Sequence, residues 1–229
     1  MKLFVHIPKN GGMTVRKGMQ SYPGEVMVGN RSHHVSDAYT SELRRTMDAD
    51  GEHHGNEHAR WRDWRKDLRD SCQAFAIIRN PWDRAVSRYT FMLYAIAQRV
   101  GNYRNYEAKT FPEFLEERHE WGGRPYYWHR AIRGWYPQKD YVTDDRGVLR
   151  CDCLRFGTDD VSTYLGRTLY PRNISNGRTD GIGVLDKKDY RKFYGPKEKR
   201  IIAEWYGDDI EFFGFTFDGP ATKNIWTPT

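Results

Sequence analysis

Two short apolar runs along the chain are each followed by a polar loop and then by a helix-compatible stretch. The first run covers residues 3–7 and ends at Pro8, and residues 13–20 fit a helix. The second covers residues 74–78 without a polar interruption, which is typical of a strand buried on both faces of a parallel sheet. Pro81 favours the first turn of a helix that is predicted to run to about residue 100. Two strand–turn–helix units predict an α/β fold with a mainly parallel sheet.

Further periodic segments continue this pattern along the rest of the chain. They predict helices over 36–47, 61–68, 111–120, 158–165 and 197–206, and strands over 141–142 and 148–156. Apolar residues between 210 and 217 are predicted to dock the end of the chain onto the core. The sequence contains no repeat, low-complexity tract or linker, so we interpret residues 1–229 as a single domain.

The charge balance restricts the kind of partner. The chain has 37 Lys and Arg against 31 Asp and Glu, a net charge of +6, which favours an anionic ligand without choosing between nucleotide, polyanion and membrane surface. Aromatic residues make up 15% of the chain, which argues against a disordered protein. Three cysteines without a disulfide or metal spacing indicate a reducing compartment, and no apolar run approaches the roughly 18 residues of a spanning helix. We therefore expect a soluble protein.

The loop after the first strand, residues 8–14, has the composition of an anion-binding segment. Between a strand and a helix, backbone N–H groups and the helix dipole point at one spot and favour an anion. Gly11 and Gly12 allow close approach of the main chain, Lys9 adds a mobile positive charge, and Thr14 offers a hydroxyl. The order differs from the nucleoside-triphosphatase loop, in which the lysine follows the second glycine. The alternative interpretation is an ordinary Gly-Gly turn with a surface lysine.

The loop after the second strand and the start of its helix carry a basic set of side chains. Arg79, Arg84 and Arg88 suit forked contacts with phosphate, and Ser87 adds a hydroxyl donor. Ligands of α/β sheets bind beyond the carboxyl ends of the strands, so one ligand can touch both loops. The alternative is a solvated basic helix face on which Asp83 pairs with a neighbouring arginine.

Both loops carry a family resemblance. The sequence His6-Ile7-Pro8-Lys9-Asn10-Gly11-Gly12 resembles the 5′-phosphosulfate loop of sulfotransferases that use 3′-phosphoadenosine 5′-phosphosulfate (PAPS). The sequence Arg79-Asn80-Pro81-Trp82-Asp83-Arg84-Ala85-Val86-Ser87 resembles their 3′-phosphate element. The chain most resembles Golgi-type carbohydrate sulfotransferases, notably the hexuronyl 2-O enzymes, and their smaller bacterial and phage relatives. The resemblance extends to the tail, with Tyr206, Asp209, Ile210, Phe213, Gly214 and Phe217.

This resemblance implies a three-layer, P-loop-like α/β fold with a central, mainly parallel sheet flanked by helices. It also implies transfer of the sulfuryl group from PAPS to an acceptor hydroxyl, which leaves 3′-phosphoadenosine 5′-phosphate (PAP). In that scheme Lys9 binds the oxygen that bridges phosphate and sulfate, residues 11–14 hold the 5′-phosphate, and Arg79 and Ser87 hold the 3′-phosphate.

Two positions of the first loop depart from the family pattern. Asn10 and Met13 stand where relatives usually have threonine or another small hydroxyl residue, so a hydroxyl contact from position 13 is lost while main-chain contacts survive. Arg178, in a late glycine-rich loop, is a further candidate for the 3′-phosphate. The predicted cofactor-binding set is Lys9, Asn10, Gly11, Gly12, Met13, Thr14, Arg79, Ser87 and Arg178.

A histidine between the two loops is the candidate base. The tract His34-Val35-Ser36 resembles the one that bears the catalytic histidine of the 2-O enzymes, so the predicted catalytic residues are His34 and Lys9. An alcohol that attacks sulfur must lose its proton, and an imidazole that titrates near neutrality can accept it. His33 is the near alternative, and a pair of surface histidines is the other. No metal is expected, because the second cluster, His53, His54 and His58, lacks a convincing ligand spacing.

The acceptor and the compartment are expectations from the same resemblance. The acceptor is predicted to be a saccharide, and neither a nucleic-acid partner nor a membrane span is expected. Golgi relatives carry an N-terminal membrane anchor that this sequence lacks, so we expect a cytoplasmic enzyme of bacterial or phage type, or a soluble form of a Golgi enzyme. An ATP-dependent small-molecule kinase of P-loop-like fold is the rival function, and the missing nucleoside-triphosphatase lysine disfavours it.

Overall fold

The fold is built on four parallel strands at the centre of the chain's described part. The computed structural model describes residues 1–29, 57–99, 107–123, 133–170 and 189–228. The strands are β1 (Lys2–Val5), β2 (Val26–Val28), β3 (Gln73–Ile78) and β4 (Asp152–Arg155), and their order across the sheet is β2-β1-β3-β4. The three strand pairings of this sheet are all parallel, which confirms the predicted α/β class.

Helices follow the strands and cover the sheet. They are α1 (Met13–Gly18), α2 (Lys66–Ser71), α3 (Pro81–Ala97), α4 (Phe111–Trp121), α5 (Gln138–Val142), α6 (Val161–Leu165), α7 (Pro196–Trp205) and α8 (Gly207–Phe213). Short 3-10 turns cover Met19–Ser21, Trp61–Asp63 and Tyr190–Phe193. The described helices include none that is long and apolar enough to cross a membrane.

Side chains of successive strand residues point to opposite faces of the sheet, and each face is covered by a separate hydrophobic core. Leu3 and Val5 point into a large core that also contains residues of α3, α4, α5, α7 and α8. Phe4 and Phe75 point the other way, into a smaller core with residues of α1 and α6. Because successive strand residues face opposite sides, a run of uninterrupted apolar residues is what a sheet covered on both faces requires. The helices and the sheet therefore form three layers, as predicted.

Two central helices begin where their sequence signals place them. Asn80 caps α3: its side-chain oxygen accepts a hydrogen bond from Trp82 N at 3.0 Å, and Pro81 occupies the first turn. Thr110 and Glu113 form a reciprocal capping box at the start of α4. The predicted helices over 81–100, 111–120 and 197–206 are thereby confirmed to within a few residues.

Several predicted elements were wrong. Residues 141–142 lie in helix α5 rather than in a strand, because the first amides of this segment donate hydrogen bonds to the distant carboxylate of Asp209, which the local pattern does not reveal. The strand predicted over 148–156 is confined to β4, and the helices predicted over 13–20, 61–68 and 158–165 form only in part. The three residues of β2 are half-buried and too few to give a periodic signal. The helix predicted over 36–47 lies outside the described residues.

The end of the chain packs onto the larger core. Phe213 is fully buried at the end of α8, and Phe215 follows it at 5% exposure. Gly214 between them has φ 64°, a left-handed conformation that ends the helix and turns the chain back. The predicted docking of residues 210–217 is confirmed.

We expect Phe75→Ala to lower the free energy of unfolding by about 3–5 kcal/mol, because it removes a fully buried ring and leaves a cavity. Phe75 contacts the rings of Phe4 and Tyr164 at centroid distances of 5.0 Å each. Urea unfolding measures the change. Tyr170→Ala is the matched control, since this aromatic is 70% exposed and its loss should change stability by less than about 0.5 kcal/mol. Equal effects of the two substitutions would contradict the assignment of Phe75 to the core.

Candidate active site

The loop after β1 has an unusual backbone conformation at two of its residues. Lys9 has φ 70°, which is rare for a residue with a Cβ, and Gly11 has φ 82°. Thr14 N donates to Gly11 O at 3.1 Å and Arg16 N donates to Gly12 O at 3.0 Å, so the loop passes directly into α1. A lysine keeps a left-handed backbone conformation only where surrounding contacts stabilise it. Such strained positions are frequent at functional sites, so this loop is a candidate functional segment.

Both glycines of the loop are required by close neighbours. A Cβ on Gly12 would lie 2.2 Å from Cδ2 of the His6 imidazole, and a Cβ on Gly11 would lie 2.7 Å from Cε2 of Phe156. The main chain at these glycines is therefore packed directly against the rings of His6 and Phe156. This is a tightly packed loop and not an ordinary surface turn.

Arg79 connects the second loop to the first. Its Nη1 donates to the backbone oxygen of Lys9 at 2.9 Å, while Nε and Nη2 make a forked contact with the carboxylate of Asp83 at 2.6 and 2.7 Å. The Arg79 side chain is 15% exposed, so the pair is shielded from bulk water. The structure brings together the two segments that the sequence assigned to one ligand. It also contains the pairing with Asp83 that the alternative interpretation predicts.

The other arginines at the start of α3 do not form a solvated face. Arg84 is 1% exposed, and its guanidinium donates to Pro8 O at 3.2 Å and to Tyr136 O at 2.9 Å. Arg88 lies with Cζ 4.1 Å from the centre of the Trp135 ring. Arg84 therefore supports the first loop from below, and the interpretation of this helix face as solvated was wrong for both residues.

The other residues predicted to bind the cofactor from these two loops are partly or fully buried. Asn10 is 1% exposed, and its side-chain amide donates inwards to Ile77 O at 2.7 Å and to Gln138 Oε1 at 2.6 Å, so only its main chain can face a ligand. Met13 and Thr14 are half-buried in the first turn of α1, and Ser87 is half-buried on α3. The Lys9 ammonium lies 4.1 Å from the centre of the Phe91 ring.

A cleft opens where β3 and β4 end, next to Arg79. It has a volume of about 160 Å³, and its lining includes Arg79, Phe156, Tyr190 and Arg191. Phe156 is 42% exposed, and its ring centre lies 4.3 Å from Cζ of Arg79. Sequence reasoning did not assign Phe156 to the site. Its position directly after β4, at the carboxyl end of a parallel strand, is the signal that could have found it.

His6 and His58 are buried next to the first loop, a placement that the first loop motif and the second histidine cluster did not predict. His58 Nδ1 lies 2.6 Å from the backbone oxygen of His6, and the two rings are 4.4 Å apart. Burial and the positive charges of Arg16, Arg133 and Lys9 lower the pKa of His6 to about 3. Burial is also the main reason that the pKa of His58 lies well below its usual value. Both imidazoles are therefore neutral near pH 7.

Glu57 joins these histidines in a group of potential metal ligands. One ligand atom from each of His6, Glu57 and His58 lies within 4.8 Å of the others. However, the Arg16 guanidinium lies 2.7 Å from the Glu57 carboxylate, and the positive charges that lower the pKa of His6 also act against a bound cation. The positive charges around these three residues therefore oppose a bound cation.

Part of the predicted site lies outside the described residues. This applies to the candidate base His34, its alternative His33, the 3′-phosphate candidate Arg178, and the histidines His53 and His54.

The two buried histidines predict how the free energy of unfolding depends on pH. The native state keeps His6 and His58 neutral, whereas in the unfolded chain both take up a proton below about pH 6.5. The free energy of unfolding should therefore fall as the pH drops, by about 2 kcal/mol between pH 6.5 and pH 5 for His6, and His58 adds to the fall in the same direction. Urea unfolding at several pH values should show a shallower fall in His6→Asn. The same slope in wild type and His6→Asn would refute a buried neutral His6, and His119→Asn, on the exposed face of α4, is the control.

Comparison with known proteins identifies the family. Residues 3–149 match the model of the sulfotransferase family, a segment that contains β1, both loops, β3 and α3 and covers more than half of the chain. A search of curated proteins found no match. With the two predicted loops in contact at the carboxyl edge of a parallel sheet, the matched segment establishes that this chain is an enzyme of the sulfotransferase family, which transfers sulfuryl groups.

Proposed function

We propose that the enzyme transfers the sulfuryl group of PAPS in line to a hydroxyl of a saccharide acceptor. The observation that carries this proposal is the 2.9 Å hydrogen bond from Arg79 Nη1 to Lys9 O. It places an arginine suited to one phosphate beside a loop suited to another, and PAPS carries a phosphate at each end of its ribose.

The donor is proposed to lie across the two loops. Main-chain amides of residues 11–14 would hold the 5′-phosphosulfate, and Arg79 with Ser87 would hold the 3′-phosphate. The exposed ring of Phe156, between Gly11 and Arg79, offers an apolar surface to the nucleoside. Arg178 is proposed as a further contact on the 3′-phosphate.

The chemistry assigns one role to each predicted catalytic residue. The acceptor oxygen forms a bond to sulfur while the bond from sulfur to the bridging oxygen breaks, and PAP leaves with the negative charge on that oxygen. Lys9 would stabilise this charge, as a cation does at the leaving oxygen in phosphoryl transfer. His34 is proposed to accept the proton that the acceptor hydroxyl loses. The scheme needs no metal.

Binding of the product tests the donor assignment. Calorimetric titration should show that PAP binds with micromolar affinity, and that AMP, which lacks the 3′-phosphate, binds at least about tenfold more weakly. Ser87→Ala should weaken PAP binding and leave AMP binding nearly unchanged. Arg79→Ala should weaken PAP binding more than AMP binding, because it removes the 3′-phosphate contact as well as the hydrogen bond to Lys9 O. Arg146→Ala, an exposed arginine on the turn before β4, is the matched control. Absence of PAP binding, or a preference for ATP with magnesium, would refute the donor and favour the kinase.

Transfer assays test the catalytic roles. With PAPS and a panel of saccharides, Lys9→Ala and His34→Ala should each lower kcat by at least about a hundredfold without changing the thermal unfolding midpoint. Lys17→Ala, an exposed lysine on α1, should retain wild-type activity. Full activity of either active-site variant would remove that residue from the mechanism.

A further inference from the structure

Gln138 connects both loops of the site through its side-chain amide. It is the first residue of α5 and is fully buried. Its Oε1 accepts a hydrogen bond from Asn10 Nδ2 at 2.6 Å and another from Arg79 N at 2.8 Å. Its Nε2 donates to Arg79 O at 2.8 Å. One side chain therefore holds the first loop through Asn10 and both backbone groups of Arg79 in the second.

The orientation of this amide is determined by its partners. Arg79 N can only donate and Arg79 O can only accept, so Oε1 must face the first and Nε2 the second. The oxygen uses both of its lone pairs, and the second N–H of Nε2 points towards Asp209 Oδ2 at 3.4 Å. Because every position of the amide is used, the side chain has one arrangement in which the network is satisfied.

Asp209 holds Gln138 in place from the other side. Its carboxylate is fully buried and accepts hydrogen bonds from Gln138 N and Lys139 N, each at 2.8 Å. These two amides begin α5, so the carboxylate acts as the cap that Pro137 cannot provide. Burial raises the pKa of Asp209, and the two amide hydrogen bonds oppose that rise. The C-terminal helix α8 is thereby connected through Gln138 to both loops.

We propose that Gln138 is a positioning residue that sets the distance between the two phosphate-binding loops. This inference rests on the proposed function, since it assigns to one donor molecule a phosphate on each loop. A ligand held by one loop alone can follow small movements of that loop. A ligand held at both ends binds tightly only when the spacing matches, because the second contact is then made without a further loss of freedom. Gln138 therefore supports selection of a nucleotide with phosphates at both the 3′ and 5′ positions.

The test compares three nucleotides on two variants. Gln138→Met keeps the volume and removes all the side-chain hydrogen bonds, and Gln138→Glu keeps the shape and replaces the donating amide by oxygen. The probes are PAP, AMP and adenosine 3′-monophosphate, measured by calorimetry. We expect both variants to lose at least about tenfold in affinity for PAP, and less than about threefold for either monophosphate.

Gln138→Glu adds a rescue that depends on pH. The carboxyl group would lie against Asp209 and the backbone oxygen of Arg79, where only its protonated form can donate as the native amide does. Asp209 raises the pKa of the new carboxyl group, and the buried guanidinium of Arg84 acts in the opposite sense on this cluster. PAP affinity of Gln138→Glu, taken relative to wild type at each pH, should therefore recover as the pH is lowered from about 8 to about 6. The same ratio for Gln138→Met should stay constant.

Controls separate this inference from general damage and from the proposed function. Gln98→Glu makes the same substitution at an exposed position after α3 and should bind all three nucleotides as wild type does. Equal losses for PAP and both monophosphates, or unchanged PAP affinity, would overturn the positioning role. If wild-type protein itself does not prefer PAP over the monophosphates, the proposed donor is wrong, and the variants are then not needed to reach that conclusion.

Discussion

The parallel pairing of β1 with β3 is the constraint on which the rest of the site depends. Val5 lies opposite Ala76 in this pairing, and both strands end at the same edge of the sheet. The two strands occupy the centre of the sheet, so their outward continuations meet above the core and not at its margin. Each loop becomes part of the proposed site because the other lies beside it.

That central position creates a second constraint, because polar groups of the loops are brought close to the core. Buried polar groups are costly unless they are hydrogen-bonded. The side chains that form hydrogen bonds with these loop groups are themselves almost completely buried: Asn10, Arg84, Gln138 and Asp209 are each at most 1% exposed. Arg84 illustrates the result, since a buried guanidinium donates to Pro8 O and Tyr136 O and thereby connects α3, the first loop and the segment before α5.

The sequence predicted the elements whose conformation depends on local signals. The predictions were wrong or incomplete where contacts between distant parts of the chain determine the structure. Residues 74–78 and Pro81 identify β3 and α3 because apolar continuity and a proline at a helix start act locally. Helix α5 was assigned as a strand because its cap, Asp209, lies far along the chain and the sequence gives no sign of it. His6 was treated only as part of a loop motif, although its ring supports Gly12. Burial of that kind emerges from packing and has no periodic signature.

The pairing of Arg79 with Asp83 unites the two interpretations of the second loop. A carboxylate beside a phosphate-binding arginine reduces the attraction for an anion, and a purely electrostatic site would omit it. Yet Asp83 occupies the side of the guanidinium formed by Nε and Nη2, which orients Nη1 towards Lys9 O and the first loop. A fixed guanidinium loses less conformational entropy on binding than a mobile one. The ion pair with Asp83 and the proposed phosphate contact of Arg79 are thus compatible, because the same carboxylate that weakens the attraction for anions also fixes the guanidinium in one geometry.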